Sequence, residues 1–321
     1  THNGYAVDRW QHKGSNSTTS TSNQDTDAPA PFINSIKFAA GGASSGAAEV
    51  AGLCQRIEGN AMTSLGWGTS AAQPATLSFY VKSSVTGTYA VSARNNGVDQ
   101  SYINTYTISS ANTWEYKTVT FDARTTGTWL TTNGIGMRLW FDLGSGSNFD
   151  GTAGSWTTNN HLTVSSQADV VGTSSATWFV TGVQLEVGEQ DTAFEHRSFG
   201  DELLACMRYY QQIGGELSNT LCTGQCTSST LAQFFIPFIV PVRDDPTCSV
   251  SDQTHFRVFN AAVSGIPDTT NMTIAATNAA SHGGFRIITT VGSGLAAGNA
   301  TMLSGSDSDN NAGIIKMDAE L

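Results

Sequence analysis

Apolar and polar positions alternate with a period of two through much of the chain, the pattern of strands that bury one face. The alternation is clearest in Thr76-Leu77-Ser78-Phe79-Tyr80-Val81-Lys82 and in Thr88-Tyr89-Ala90-Val91-Ser92-Ala93-Arg94. It continues through 101–108 and 114–121, and 135–143 and 177–187 supply two further strands. Turn residues such as Val85-Thr86-Gly87 and Asn95-Asn96-Gly97 separate these runs, as hairpins require. The pattern predicts an antiparallel jelly-roll β-sandwich over residues 1–198. The polar run from Ser15 to Asp27 has too little apolar surface to order itself alone, so it is expected as a loop.

One segment departs from this period. Residues 201–213 (DELLACMRYYQQI) lack Gly and Pro, and they place Leu203, Leu204, Met207, Tyr210 and Ile213 on one helical face. Ser198 or Asp201 is expected to cap the start and Gly214-Gly215 to stop the end, giving a helical linker over 199–215. Short strands resume beyond it, at 233–242, 248–250, 254–259, 285–290 and 312–317. The whole chain therefore reads as all-β, with one linking α-helix and a smaller β-rich domain over 216–321.

Composition narrows the function. Charged residues make up 13% of the 321 residues, against about 25% in typical globular proteins. Ser and Thr together number 76 and Gly 33, which suits strands joined by polar turns. The net charge is −11, with 10 basic and 15 acidic residues over 1–200 and 5 and 11 over 201–321. Neither half is a basic surface built for phosphates, so no nucleic-acid partner is expected. No apolar run of about 18 residues exists; 231–242 is the longest candidate and is interrupted by Pro237 and Pro241. No membrane insertion is expected. The chain starts at Thr1 without a signal-peptide pattern, which points to a trimmed start or a longer protein. Five cysteines (Cys54, Cys206, Cys222, Cys226 and Cys248) form no regular disulfide framework, as suits assembly in a reducing cytosol.

Candidate chemistry is sparse. The six histidines (His2, His12, His161, His196, His255 and His282) sit in no nucleophile or zinc motif, and Gly144-Ser145-Gly146-Ser147 lacks the helix and lysine of a phosphate loop. Cys222-Thr223-Gly224-Gln225-Cys226 leaves a metal, a disulfide and free thiols open, with free thiols favoured. Asp122, Asp142, Asp150, Glu186, Glu189, Asp191 and Glu195 supply carboxylates for glycoside hydrolysis, which needs a facing pair across a cleft. Turn and surface positions are the simpler reading, so no catalytic residue, metal or cofactor is assigned. Trp67, Trp129 and Trp156 are the ligand-binding candidates, either as stacking platforms for sugar rings or as lids on the core.

Several segments resemble, in order, a recurrent module of tailed-bacteriophage fibre and appendage proteins. They are LSFYVKSSVTGTYAVSARN (77–95), YTISSANTWEYKTVTF (106–121), GIGMRLWFDLGSGSNF (134–149) and FVTGVQLEVGEQDTAFEHRSFGDELLACMRYYQ (179–211). Residues 4–10 (GYAVDRW) look like the module's usual opening and 317–321 (MDAEL) like a common ending. Residues 216–316 match little. The resemblance implies a jelly roll similar to carbohydrate-binding modules, displayed on homotrimeric virion fibres. The expected protein is thus a non-enzymatic virion tail fibre or other appendage that presents a host-recognition surface. Its expected partners are further copies of itself, other virion proteins and a host surface glycan. The alternatives are a head fibre, a capsid decoration protein, a carbohydrate-binding module of a larger surface protein, or a glycan depolymerase. Trp114, inside a matched strand, is expected in the core.

Overall fold

The computed structural model describes residues 3–7, 9–14, 19–217, 219–259, 268–275, 283–305 and 312–321. His2, Asp8, the run from Ser15 to Thr18 and His282 lie outside the described residues. The chain divides into two compact units, Thr1–His196 together with Leu321, and Arg197–Glu320.

The first unit contains β1 (Asn3–Val7), β2 (Trp10–Lys13), β3 (Thr21–Asp25), β4 (Ser35–Ala39), β5 (Gly52–Glu58) and β6 (Ala75–Ser83). It continues with β7 (Gly87–Arg94), β8 (Ser101–Ile108), β9 (Glu115–Phe121), β10 (Ile135–Asp142), β11 (Trp156–Thr157) and β12 (Thr177–Val187). One sheet runs β1-β2-β5-β10-β7-β8-β11 and the other β3-β4-β12-β6-β9. Its eight central strands divide between the sheets as β4-β12-β6-β9 and β5-β10-β7-β8, all antiparallel. That order is a jelly roll. Alternate residues of both sheets meet in one core, where Phe38, Phe79, Tyr89, Phe141 and Trp178 are fully buried. Phe79 and Phe141 pack edge to face at 5.1 Å, the arrangement that ring quadrupoles favour.

The polar run yields more structure than its composition suggested. Thr21–Asp25 pairs with β4 as an edge strand, and its exposed side chains are what an edge tolerates. Lys82 links this region to the sheet's outer side. Its ammonium pairs with Asp27 and lies 4.4 Å from the ring centre of Phe179 and 5.2 Å from that of Trp114. Trp114 is half-buried here, its indole N–H donating to Asp27 at 3.1 Å, so it clamps the sheet's outer side and does not fill the core.

The second unit holds α1 (Phe199–Met207) and β13 (Tyr210–Gly214), β14 (Thr220–Cys226), β15 (Leu231–Pro237), β16 (Thr247–Val250) and β17 (Phe256–Phe259). It ends with β18 (Thr269–Ala275), β19 (Gly284–Val291), β20 (Ala300–Gly305) and β21 (Ile314–Asp318). A six-stranded sheet, β17-β20-β14-β15-β19-β18, packs Phe234, Phe256, Phe285 and Leu303 against Ile315 and Met317 of a three-stranded sheet, β13-β21-β16. Ser198 caps α1 as expected, accepting from the Asp201 N–H. The helix is shorter than the expected 201–213. Tyr210 to Gly214 leave it to pair with β21, a partner about a hundred residues away that local periodicity does not report. The strand expected over 233–242 likewise stops at Pro237.

The Asp27–Lys82 pair predicts a pH response. The hydrogen bond from Lys82 holds the Asp27 carboxyl below the usual carboxylate range. A depressed folded-state pKa contributes stability above the unfolded value, near 4, and loses it as pH falls through the folded one. Melting temperatures measured from pH 6 down to pH 2 should therefore fall less steeply below about pH 4 in Asp27→Asn than in the parent.

Candidate functional site

Period two decides what the seven-stranded sheet shows on its outer side. Leu53 of β5, Met137, Leu139 and Phe141 of β10, and Tyr89, Val91 and Ala93 of β7 face the core. Arg56, Arg138 and Arg94 occupy the intervening positions and therefore face outward. Strand register aligns them, because Arg138 pairs with Arg56 on one side and with Arg94 on the other. Adjacent strands lie about 4.8 Å apart, so the row spans about 10 Å. Gln11, Cys54, Trp140 and Ser92 form the neighbouring register row. Lys13 lies two residues beyond Gln11 on the same outward side of β2. Four cations thus share one face of an acidic unit.

No Asp or Glu side chain pairs with any of these four cations among the described residues. Arg94 is buried beneath Asn160, whose side-chain oxygen accepts from it at 2.6 Å, and its guanidinium lies over the Trp140 ring at 5.6 Å. Arg138 donates to Asn96 at 3.2 Å. Arg56 donates to the main-chain oxygen of Leu321, which also accepts from the Tyr5 hydroxyl at 2.6 Å. The Nε of each arginine is nevertheless buried without a hydrogen-bond partner, as are Gln11 Oε1 and Ser92 Oγ. Buried polar groups nearly always have partners, so five orphans on one face need a cause. The charges also act on one another. Burial and then the nearby Arg56 pull down the pKa of Lys13 and of Arg138; burial brings that of Arg94 down to about 10.

A polar cavity of about 330 Å³ lies at the end of β10, lined by Ser44, Ser45, Ser145, Ser147, Asp150 and Asp169 among others. Its walls are fixed from below. Asp142, fully buried at the end of β10, accepts from the N–H groups of Gly144 and Ser145 at 3.0 Å each and from the Trp140 indole at 2.9 Å. Gly146 permits the two lining loops to touch, since a Cβ there would stand 2.0 Å from the Gly46 carbonyl oxygen. Asp169 accepts from Ser44 Oγ at 2.6 Å and from the Gly172 N–H at 2.9 Å, while Ser45 Oγ is buried and unpaired. Hydroxyls and carboxylates dominate the lining.

The three candidate tryptophans converge elsewhere, near the edge strand β11. Trp67 meets Trp129 at 4.7 Å and Trp156 at 5.2 Å, both edge to face. Every indole N–H is satisfied internally, by the carbonyls of Gln73, Thr126 and Asp122 respectively. Trp67 is 4% exposed and has no free face; Trp129 and Trp156 are half-buried. Three of the seven carboxylates considered for hydrolysis are engaged within the fold, and Asp150 lines the cavity. Asp142 is surrounded by donors, Glu186 accepts from Thr192 and Asp191 from the Tyr116 hydroxyl. Cys222 and Cys226 stand four residues apart on β14, about 13 Å along an extended strand, too far for a disulfide.

The arginine row was missed at the sequence level, although each member interrupts an apolar strand at an outward position. That signal marks three outward cations; only register makes them neighbours.

No family model and no curated protein sequence matches the chain. Among solved structures it resembles the CBM22-1 and GH10 modules of a Clostridium thermocellum xylanase complexed with xylohexaose, at 14% identity and TM-score 0.30. That match covers 61% of this chain and 29% of the other, so the chain spans less than a third of that relative. The CBM22-1 xylan-binding domain of a Paenibacillus barcinonensis xylanase matches at 9% identity and TM-score 0.30, over 59% and 91% of the two chains. The enzymatically active domain of a tailspike from bacteriophage CBA120 matches at 13% identity and TM-score 0.29, over 56% and 19%. With every TM-score well below 0.5, the jelly-roll assignment rests on strand order.

Like charges placed directly across strands destabilise a sheet. Replacing Arg138, the middle cation, by Gln should therefore leave the protein as stable or raise its stability by about 0.5 kcal/mol at low salt. Urea unfolding at 20 and 500 mM salt checks this, and the gap should narrow as salt screens the row.

Proposed function

We propose that this chain is a non-catalytic saccharide-recognition protein, carried as a fibre or other appendage on a tailed-phage particle. The observation that carries the recognition role is the hydroxyl-lined cavity at the end of β10. Saccharides are recognised by many hydrogen bonds made to fixed donors and acceptors, and the cavity walls supply these from rigid loops. The half-exposed rings of Trp129 and Trp156 offer a second, smaller contact for a sugar face. The ordered sequence resemblance over 77–211 supports the virion setting, with a head fibre or capsid decoration protein as variants of the same reading.

Self-association into a homotrimer belongs to this proposal. The helix α1 has no buried residue, and Phe199, Leu203 and Leu204 are 83%, 41% and 49% exposed. Such an apolar face is normally covered by a partner, and a second and third copy of this chain are the partners that a fibre supplies. In the second unit Phe235 is also exposed, whereas Phe234 and Phe256 are core.

A glycan array probed with the full chain should give discrete saccharide hits. Asp169→Asn should weaken them about tenfold, the scale of one hydrogen bond to a charged group. Light scattering should return the mass of three chains. A stable monomer at micromolar concentration removes the fibre reading, and release of reducing sugar from a bound glycan removes the non-catalytic one.

A further inference from the structure

We propose that the outward face of the seven-stranded sheet binds an anionic saccharide, with ligand carboxylates seated on Arg56 and Arg138 and the buried Arg94 adding positive charge beneath them. This rests on the saccharide-recognition reading and specifies the charge class of the ligand.

The first argument is geometric. Arg56, Arg138 and Arg94, on three adjacent strands, occupy one register row about 10 Å wide, on the rigid part of the sandwich. Each guanidinium presents a planar fork of donors that matches a carboxylate bidentately. A row of this width fits the acid groups of a short saccharide.

The second argument is the set of orphaned atoms. The three Nε donors, Gln11 Oε1 and Ser92 Oγ are buried without partners among the described residues. Arg94, at 7% exposure, is held in place by Asn160 and by the ring of Trp140, yet no carboxylate salt-bridges it. Asp142, the nearby acid, already accepts three hydrogen bonds from Trp140, Gly144 and Ser145. Glu58, two residues after Arg56 on β5, accepts from the Asn60 side chain. Arg56 and Tyr5 do meet one acceptor, the main-chain oxygen of Leu321, so outer donors of the row are within reach of an oxygen ligand.

The third argument separates a saccharide from a nucleic acid. Residues 1–200 carry five more acidic than basic side chains, and the four clustered cations stand out against that background. A long polyanion would extend beyond the row into net negative surface and be repelled. A short segment bearing one or two carboxylates would not.

The test titrates the full chain with a polygalacturonate oligomer and with its carboxyl-reduced, neutral counterpart. The acidic oligomer should bind at least tenfold more tightly than the neutral one, and more weakly as salt rises. Arg138→Gln and Arg56→Gln should each cost tenfold or more for the acidic oligomer and leave neutral binding unchanged, with melting temperature confirming the fold. Equal affinity for the two oligomers, or variants that bind the acidic one like the parent, would overturn the proposal. If neutral sugars still bind and depend on Asp169, saccharide recognition stands without the charge preference. Tighter binding of a single-stranded DNA of equal charge would also overturn it, in favour of a phosphate ligand.

Discussion

The first unit depends on one constraint: each of its two sheets must bury alternate side chains in a shared core. Once Leu53, Met137, Leu139, Phe141, Val91 and Ala93 are committed inward, the register of β5, β10 and β7 has no freedom left. A slip by one residue would expose every one of these side chains and bury the arginines in their place. The same packing that stabilises the sandwich therefore sets Arg56, Arg138 and Arg94 side by side. Core and candidate site are two faces of one register.

This explains what could be read from the sequence. The positions of β6 to β10 and of β12 follow from local alternation, because aromatic and β-branched residues recur every second position within a few residues of a turn; the two-residue β11 does not. The cap at Ser198 is equally local. The end of α1 is not, since Tyr210 to Gly214 satisfy a helical stripe as well as a strand and are decided by β21. Thr21–Asp25 is strand-like only because β4 offers it an edge. The arginine row needed two pairings: β5 with β10 across about eighty residues, and β10 with β7 across more than forty. The gathering of Trp67, Trp129 and Trp156 likewise depends on three loops that meet only in the folded unit.

The two kinds of aromatic placement in this unit have different physical meaning. Trp67, Trp129 and Trp156 are tied by their indole N–H groups to carbonyls of nearby loops, so their energy is spent holding the edge near β11 together. Trp140 is tied to Asp142, and through it to the loop that walls the cavity, while Arg94 lies over its ring. Trp140 thus connects Arg94 to the cavity loop through one cation–π contact and one hydrogen bond. A ligand contacting both would meet a surface already organised before binding, with little ordering cost.

Under the proposal of an acidic saccharide ligand, electrostatics is what gives this face its selectivity. At physiological ionic strength charges more than about 8 Å apart are largely screened, a distance close to the width of the row. A carboxylate within the row is attracted by several guanidinium groups at once, whereas one placed a few sugar units away experiences chiefly the acidic remainder of the unit. Charge patterning of this kind favours ligands whose acid groups are few and locally spaced over uniformly charged polymers. Retaining three in-register arginines against their mutual repulsion works against folding stability, and burial adds to the cost for Arg94. An arrangement that folding alone disfavours, on a scaffold otherwise consistent from alternation to core, is where a binding role is expected to be found.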